Sequence, residues 1–307
     1  MGCTLVIDTS YGSTVGLVGR EPIVETDSRT HVEKLQGNIA RAVGEAGLTP
    51  RDVTAIVVGV GPAPFTGLRA GIVAAKALAF ATGATLIGQN VLEPQAQWNM
   101  IRRAEAGTLG DVKATHVLTL AVNDARRKQL YFELCPSPFD GDGLIWEPEA
   151  VTEVFPKVAC DGDAETVETG QEDVTSAIPE IEPKPRRAVE PLIAMDIDYP
   201  ASIVERVNEA VRAYAATVEG DVVVDVVGHG VGKYEDVLHG IERLGDVVDE
   251  SVLDRGGRGL SVFAAHALAT RRTDADETVE PLYLRRPDAE VPNPLKHVLG
   301  HTEATRR

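Results

Sequence analysis

The sequence predicts an α/β protein of two lobes, each a mixed β-sheet with flanking helices. Three observations carry this expectation. Short apolar strands with Gly-rich turns open the chain and give way to an amphipathic helix, so the first part reads βββαβα with another strand following. A similar arrangement starts again beyond residue 105. The chain has 307 residues, and at roughly 150 residues per domain that is about two domains.

The elements follow in order. Thr4-Leu5-Val6-Ile7 reads as a buried strand that ends at Asp8-Thr9-Ser10. Ser13 to Val18 and Pro22 to Thr26 read as two more strands of a meander. The period then changes: Val32, Leu35, Ile39, Ala42, Val43 and Ala46 share one helical face. Thr30 is placed as its N-cap, with Glu33 three residues on as in a capping box. Gly47 and Pro50 end it. Ala55–Val58 is a fourth strand, Leu68–Ala81 a second helix and Thr85–Ile87 a fifth strand. After a helix-like stretch near 91–105, His116–Val122 and Gln129–Leu134 read as paired strands around Asn123-Asp124-Ala125-Arg126-Arg127. Residues 136–190 are rich in Pro, Gly and acid, and are read as a solvated, partly disordered insertion. Ile203 to Ala215 is an amphipathic helix, Asp221–Gly228 a strand, and Gly228 to Tyr234 a Gly-rich turn into another helix. Ser261–Thr270 is a last long helix, and the tail from Asp288 is frayed.

Composition narrows the function. Apolar content of 43% and charged content of 25% are ordinary for a globular protein. Apolar runs fall short of the roughly 20 residues of a membrane span, and MGCTLV has no basic segment typical of a secretory signal. Met1-Gly2-Cys3 invites acylation, but Val6 stands where that pattern wants Ser or Thr. Cys3, Cys135 and Cys160 are odd in number and show no CxxC spacing, which favours a reducing cytoplasm over a disulfide framework or zinc knuckle. Net charge is −17; residues 140–200 hold sixteen acids and four bases, a net of −12, leaving −5 elsewhere. Nucleic-acid affinity rests largely on Lys and Arg neutralising phosphates. With no such excess, any grip on a nucleic acid is expected of a partner.

Catalytic constellations are thin. Asp8-Thr9-Ser10, followed by a Gly turn and a strand, fits the phosphate hairpin of actin-like ATPases; the plainer alternative is a turn whose Asp and Ser bond nearby backbone. The stretch GVGPAPFTGLRAG is not a Walker loop: five residues separate Gly61 from Gly67, and Leu68-Arg69 follow instead of Lys-Ser/Thr. Two prolines also remove N–H donors that a phosphate cradle would use. His31 and Glu33 diverge on a helix, no HExxH pair occurs, and the HxxxH pair His297/His301 falls in the tail read as frayed, so neither a metal nor a cofactor is expected. No GxSxG elbow surrounds Ser10 or Ser13. His229 lies between glycines and is a candidate ligand or base, although a lone loop histidine is more often neither.

The second helix is apolar nearly all round, with Arg69 and Lys76 as its polar edge, as expected of a helix buried on two sides. Leu68, Ile72, Ala75 and Ala79 make one face; Ala70, Ala74, Ala77 and Ala81 make a small-residue stripe. Opposite the core face of the first helix lie Gly37, Ala40 and Gly44. Two such stripes admit another backbone closely, whether from this chain's other lobe or from a partner.

The motifs LVIDTS, RTHVEKL, VVGVGPAPFTGLRAGIVAAKALA, VNDARRKQLYF and PLYLRRP occur in this order. Together they resemble the bacterial TsaB (YeaZ) family. Coverage is good over 4–134, fair over 221–287 and poor across 136–215; Ala63-Pro64 departs from the family's usual Gly-Ser. The resemblance implies two RNase H-like lobes of the actin-like ATPase type. On that basis residues 1–105 form the first lobe, with 258–290 returning to it, and 106–257 form the second, with an acidic insertion at about 136–200; 288–307 is a frayed tail. It further implies a non-catalytic, cytoplasmic subunit in the making of N6-threonylcarbamoyladenosine at position 37 of ANN-reading tRNAs. The implied partners are TsaD, the catalytic paralogue, and the ATPase TsaE, with tRNA reached through TsaD and a homodimer possible alone. Asp8, Thr9 and Ser10 would be a vestigial nucleotide site. Gly37, Ala40, Gly44, Gly67, Ala70, Ala74, Ala77 and Ala81 would face TsaD. An active ATPase or small-molecule kinase using Asp8 and the Gly228 turn is the alternative, and a self-assembling actin-like protein a third.

Overall fold

The structure is a computed structural model that describes residues 2–27, 30–108, 114–137, 139–140, 143–144, 190–270 and 279–285. The first half runs β1 (Cys3–Asp8), β2 (Ser13–Leu17), β3 (Ile23–Glu25), α1 (His31–Gly44), β4 (Val53–Gly61), α2 (Phe65–Thr82), β5 (Thr85–Asn90) and α3 (Glu93–Glu105). The second runs β6 (Thr115–Asp124), β7 (Leu130–Pro136), the two-residue strands β8 (Phe139–Asp140) and β9 (Gly143–Leu144), β10 (Ile193–Asp198), α4 (Pro200–Ala215), β11 (Asp221–Gly228), α5 (Glu235–Leu238), β12 (Leu244–Val248) and α6 (Gly256–Thr270).

Two five-stranded mixed sheets result, ordered β3-β2-β1-β4-β5 and β10-β7-β6-β11-β12. The order is the same in both: an antiparallel meander, then two parallel strands added beside its first strand. This is the two-lobed actin-like architecture. The central strands are largely apolar because both faces are covered, with Thr119 and Asp225 as buried polar exceptions in the second sheet. Side chains alternate across them. Leu5, Ile7, Ile56 and Val58 meet Leu35, Ile39, Leu68 and Ile72 of α1 and α2. Val6, Val57 and Ile87 meet Leu260, Phe263 and Ala267 of α6 on the other side. In the second sheet Leu118, Leu120, Val222 and Val224 pack on Ile203, Val207 and Val211 of α4. The tail returns to the first sheet, where the Leu282 N–H donates to the Val60 carbonyl at 2.8 Å.

Helix α3 is bolted to the second sheet by buried ion pairs. Arg103 forks onto Asp225, Nε to Oδ2 at 2.5 Å and Nη2 to Oδ1 at 2.7 Å. The Asn99 amide donates to Asp225 at 2.8 Å and to Thr119 at 2.9 Å. Burial pushes the Asp225 carboxyl up, but the bonds from Arg103 and Asn99 outweigh it and hold it below the usual range.

Several boundaries depart from the sequence reading. Thr30 does stand at the N-cap of α1, but its hydroxyl donates to Asp27 at 3.0 Å and makes no cap bond. The region read as an acidic insertion contains β10, whose Ile193, Met195 and Ile197 alternate with Ala194, Asp196 and Asp198. Its two carboxylates pair with Arg206 at 2.8 and 3.2 Å, and charge of this kind suits an edge strand. Strand β12 has no counterpart in the sequence reading. The rest of the insertion, 145–189, and the tail 288–307 lie outside the described residues. Among the described residues one helix, α2, is long and apolar enough to cross a membrane by length and composition; its inner face is packed on β4, as in a core helix.

Candidate functional site

Two features stand where the sequence placed function: the cleft between the lobes and the outer face of α1 and α2. At the cleft, Asp8 ends β1 with its carboxylate turned onto its own loop. It accepts from the Ser10 amide at 3.1 Å and the Ser10 hydroxyl at 2.7 Å. Burial raises its carboxyl above the usual range, and the Ser10 bonds only partly offset that. The backbone crowds this corner. A side chain on Gly59 would strike the Asp8 carboxylate, and one on Gly71 would strike Thr9 Oγ1. Thr9 Oγ1 is buried with no hydrogen-bond partner among the described residues.

Opposite, His229 stacks on Tyr11, ring centroids 3.8 Å apart and 15° from parallel. Its Nε2 lies 2.7 Å from Asp254 Oδ2. Burial pushes the Asp254 carboxyl up, yet the bond and charge of His229, with the Ser251 bonds, carry it below the usual range. This stacked pair bridges the lobes and leaves a cavity of about 20 Å³ beside Asp8, Ser10 and Asn123, space for about one water molecule. Small-molecule pockets usually run to roughly 300–1,000 Å³. The corner beside Asp8 as it stands is too full for a nucleotide. His229, a candidate ligand or base in the sequence, is a packing and pairing residue here. No local pattern signals the stack, because Tyr11 and His229 are brought together only by the closure of two lobes.

The α1–α2 face divides the small-residue stripes. Gly37, Ala40 and Gly44 are exposed. A Cβ built on Gly37 or Gly44 would meet nothing within 4 Å among the described residues. On α2, Ala77 and Ala81 are exposed and Ala70 is half-buried against the core. Gly67 and Ala74 are corrections to the expected outward stripe: both are buried in the protein's own lobe. Gly67 lies where a Cβ would come within 2.9 Å of the Thr9 carbonyl and 3.2 Å of His31 Nε2. The true outer face is rotated: Thr66, Arg69, Val73, Ala77 and Phe80, with Val73 65% and Phe80 93% exposed. The polar residues Thr66 and Arg69 at helical spacing were the available signal for that rotation.

Fold and cleft thus define a two-lobed actin-like protein whose interlobe corner beside Asp8 is filled and which leaves bare apolar groups on the outer face of one helix pair. Comparison with known proteins adds the following. Residues 23–133 match the family model described as "TsaD: tRNA N6-adenosine threonylcarbamoyltransferase". An uncharacterized protein of Mycobacterium tuberculosis is 39% identical over 136 residues, covering 42% of this chain and 56% of that protein. The chain thus matches about half the length of that curated relative. A tRNA N6-adenosine threonylcarbamoyltransferase of Ruegeria sp. (strain TM1040) is 42% identical over 74 residues, 24% of this chain and 20% of that protein. Among solved structures, YeaZ from Pseudomonas aeruginosa superposes with a TM-score of 0.53 at 21% identity, over 92% of this chain and all of that one. The shared fold and the family match support the resemblance to the TsaB (YeaZ) family.

Proposed function

We propose that this chain is a TsaB-type, non-catalytic cytoplasmic subunit of the machinery that makes N6-threonylcarbamoyladenosine at position 37 of ANN-reading tRNAs. It pairs through the outer face of α1 and α2 with a TsaD-type catalytic partner, which reaches the tRNA, and a TsaE-type ATPase joins the pair. The observation that carries the reading is that face. Glycine inside a helix costs roughly 0.5–1 kcal/mol relative to alanine, and neither Gly37 nor Gly44 relieves any crowding among the described residues. On the adjoining helix α2 stand Phe80 and Val73, large apolar groups left in water. Missing side chains next to bare apolar ones suit a surface against which another helix packs toward the short end of the roughly 8–10 Å range. The filled corner beside Asp8 argues in the same direction, against a kinase that would use that residue.

The test replaces Ala40 or Ala77, both exposed, by glutamate. Ala74→Glu would be uninformative, because Ala74 is in the core. Each variant should melt like the wild type alone. Burying an unpaired carboxylate costs at least several kcal/mol, so each should bind TsaD about a hundredfold more weakly or worse. Normal binding by both variants would move the interface elsewhere. Titration with Mg-ATP should give no heat, and tight binding with turnover lost in Asp8→Ala would establish the kinase instead.

A further inference from the structure

Three motifs that the proposed pairing leaves unused meet in one pocket. The loop before α2, the turn between β6 and β7 and the tail at 283–285 enclose about 390 Å³ beside Phe65, Arg126, Arg127, Tyr131, Tyr283 and Arg285. Among the described residues three arginines line it and no carboxylate does, on a chain of net charge −17. The overall charge gave no hint of this, because it averages over the acidic stretch at 140–200.

The rings are arranged as a platform. Phe65 and Tyr283 stack with centroids 4.9 Å apart, and each is 41% exposed. The Arg69 guanidinium lies 3.6 Å over the Phe65 ring and donates to the Tyr283 hydroxyl at 2.6 Å. Arg285 is held in place by the Gln129 side chain at 2.5 Å. Asp124 lies beneath the turn, already between Lys233 at 3.4 Å and Arg126 at 3.9 Å.

The turn itself is strained. Arg126, Arg127 and Lys128 all have positive φ, at 63°, 51° and 65°. The Gln129 N–H closes on the Arg126 carbonyl at 3.0 Å, so Arg127 and Lys128 are the central pair of a primed turn. That turn favours Asn-Gly; here it carries exposed long cations instead. Such outliers persist where the surroundings enforce them, and they gather at binding sites.

We infer that this pocket holds single-stranded RNA, its phosphates on Arg126, Arg127 and Arg285 and a base on the Phe65–Tyr283 platform. Exposed cations in a row beside half-exposed rings suit a backbone that runs across the surface. A free di- or triphosphate fits less well. It calls for a cradle of backbone N–H groups, and Pro62 and Pro64 withhold theirs from the adjoining loop. The inference rests on the tRNA-pathway reading, and its test separates the two.

The probe is a fluorescein-labelled RNA of about eight nucleotides, its binding to the full chain followed by anisotropy across a salt series. Single-strand binding weakens with salt with a slope near 0.7 per neutralised phosphate, so three contacts give a slope of about 2. The variant Arg127→Asn/Lys128→Gly restores the favoured turn. It should melt at a higher temperature than the wild type, bind RNA at least tenfold more weakly with a shallower slope, and bind TsaD unchanged. Tyr283→Ala should weaken RNA binding at least fivefold through lost stacking. No RNA binding by the wild type, variants within twofold of it, or equal competition by AMP or by a poly-glutamate peptide would overturn the inference. Failure of the wild type to bind TsaD would overturn the pairing alone.

Discussion

Glu133 offers a sharp test of how the second lobe is held. It sits in β7 at 5% exposure, and its Oε2 has no partner among the described residues. Burial, and then the charge of Glu93, raise its carboxyl from 4.5 to about 7, with only the Cys135 thiol pulling the other way. Below pH 4.5 folded and unfolded chains both hold the proton. As pH rises to about 7 the unfolded chain releases it first, so stability falls; above that it is flat. Each pH unit between those two values is worth about 1.4 kcal/mol, so the loss is about 3 kcal/mol. His266 does the reverse. Burial holds its imidazole down from 6.5 to about 4. The unfolded chain therefore takes up a proton first as pH falls, and stability drops by a similar amount between 6.5 and 4. The two slopes oppose each other between pH 4.5 and 6.5, so in the wild type each masks part of the other. Glu133→Gln removes one of them. Urea denaturation should find the variant about 3 kcal/mol more stable at pH 8, little changed at pH 4, and rising steeply with pH in between. A variant curve parallel to that of the wild type would show that Glu133 ionises freely in the folded state and would refute the argument.

Two further substitutions probe other parts of the frame. Arg103→Ala takes the fork from the fully buried Asp225 and should cost about 3–5 kcal/mol in chemical denaturation; a loss below about 1 kcal/mol would mean that its remaining partners, Asn99, the Asp246 N–H and Arg102 at 3.6 Å, suffice. Gly37→Ala and Gly44→Ala should each stabilise the isolated chain by about 0.5–1 kcal/mol while lowering its affinity for TsaD, and unchanged affinity would show that the glycines answer to nothing outside the chain.

Much of this frame was legible from periodicity. The βββαβα order held because each strand there is a compact apolar run and α1 has one apolar face. The helix α2 misled in rotation, not in existence: with alanines on most sides, size alone does not say which are inward, and Gly67 and Ala74 turned in. Strand β10 was hidden by composition, although its alternation was present in IAMDID. Strand β12 is short, only partly buried and interrupted by Asp246, so it reads as loop. The Arg103–Asp225 fork joins residues 122 positions apart, and no local pattern announces such a pair. The arginine pocket was visible only as three separate motifs.

The repeated strand order has a consequence for valency. In the first lobe the connection between the fourth and fifth strands of the sheet is an 18-residue helix, α2. At the same place in the second lobe it is α5, four residues long. Among the described residues the duplicated architecture therefore carries its broad helical face once. Linear polymers need each protomer to offer two different complementary surfaces, so that every addition leaves a fresh end. A chain with a single such surface is consumed by its first encounter. Face-to-face pairing closes on itself, whether the other member is a second copy or a related protein, and the actin-like body is left without the means to grow into a filament by this contact.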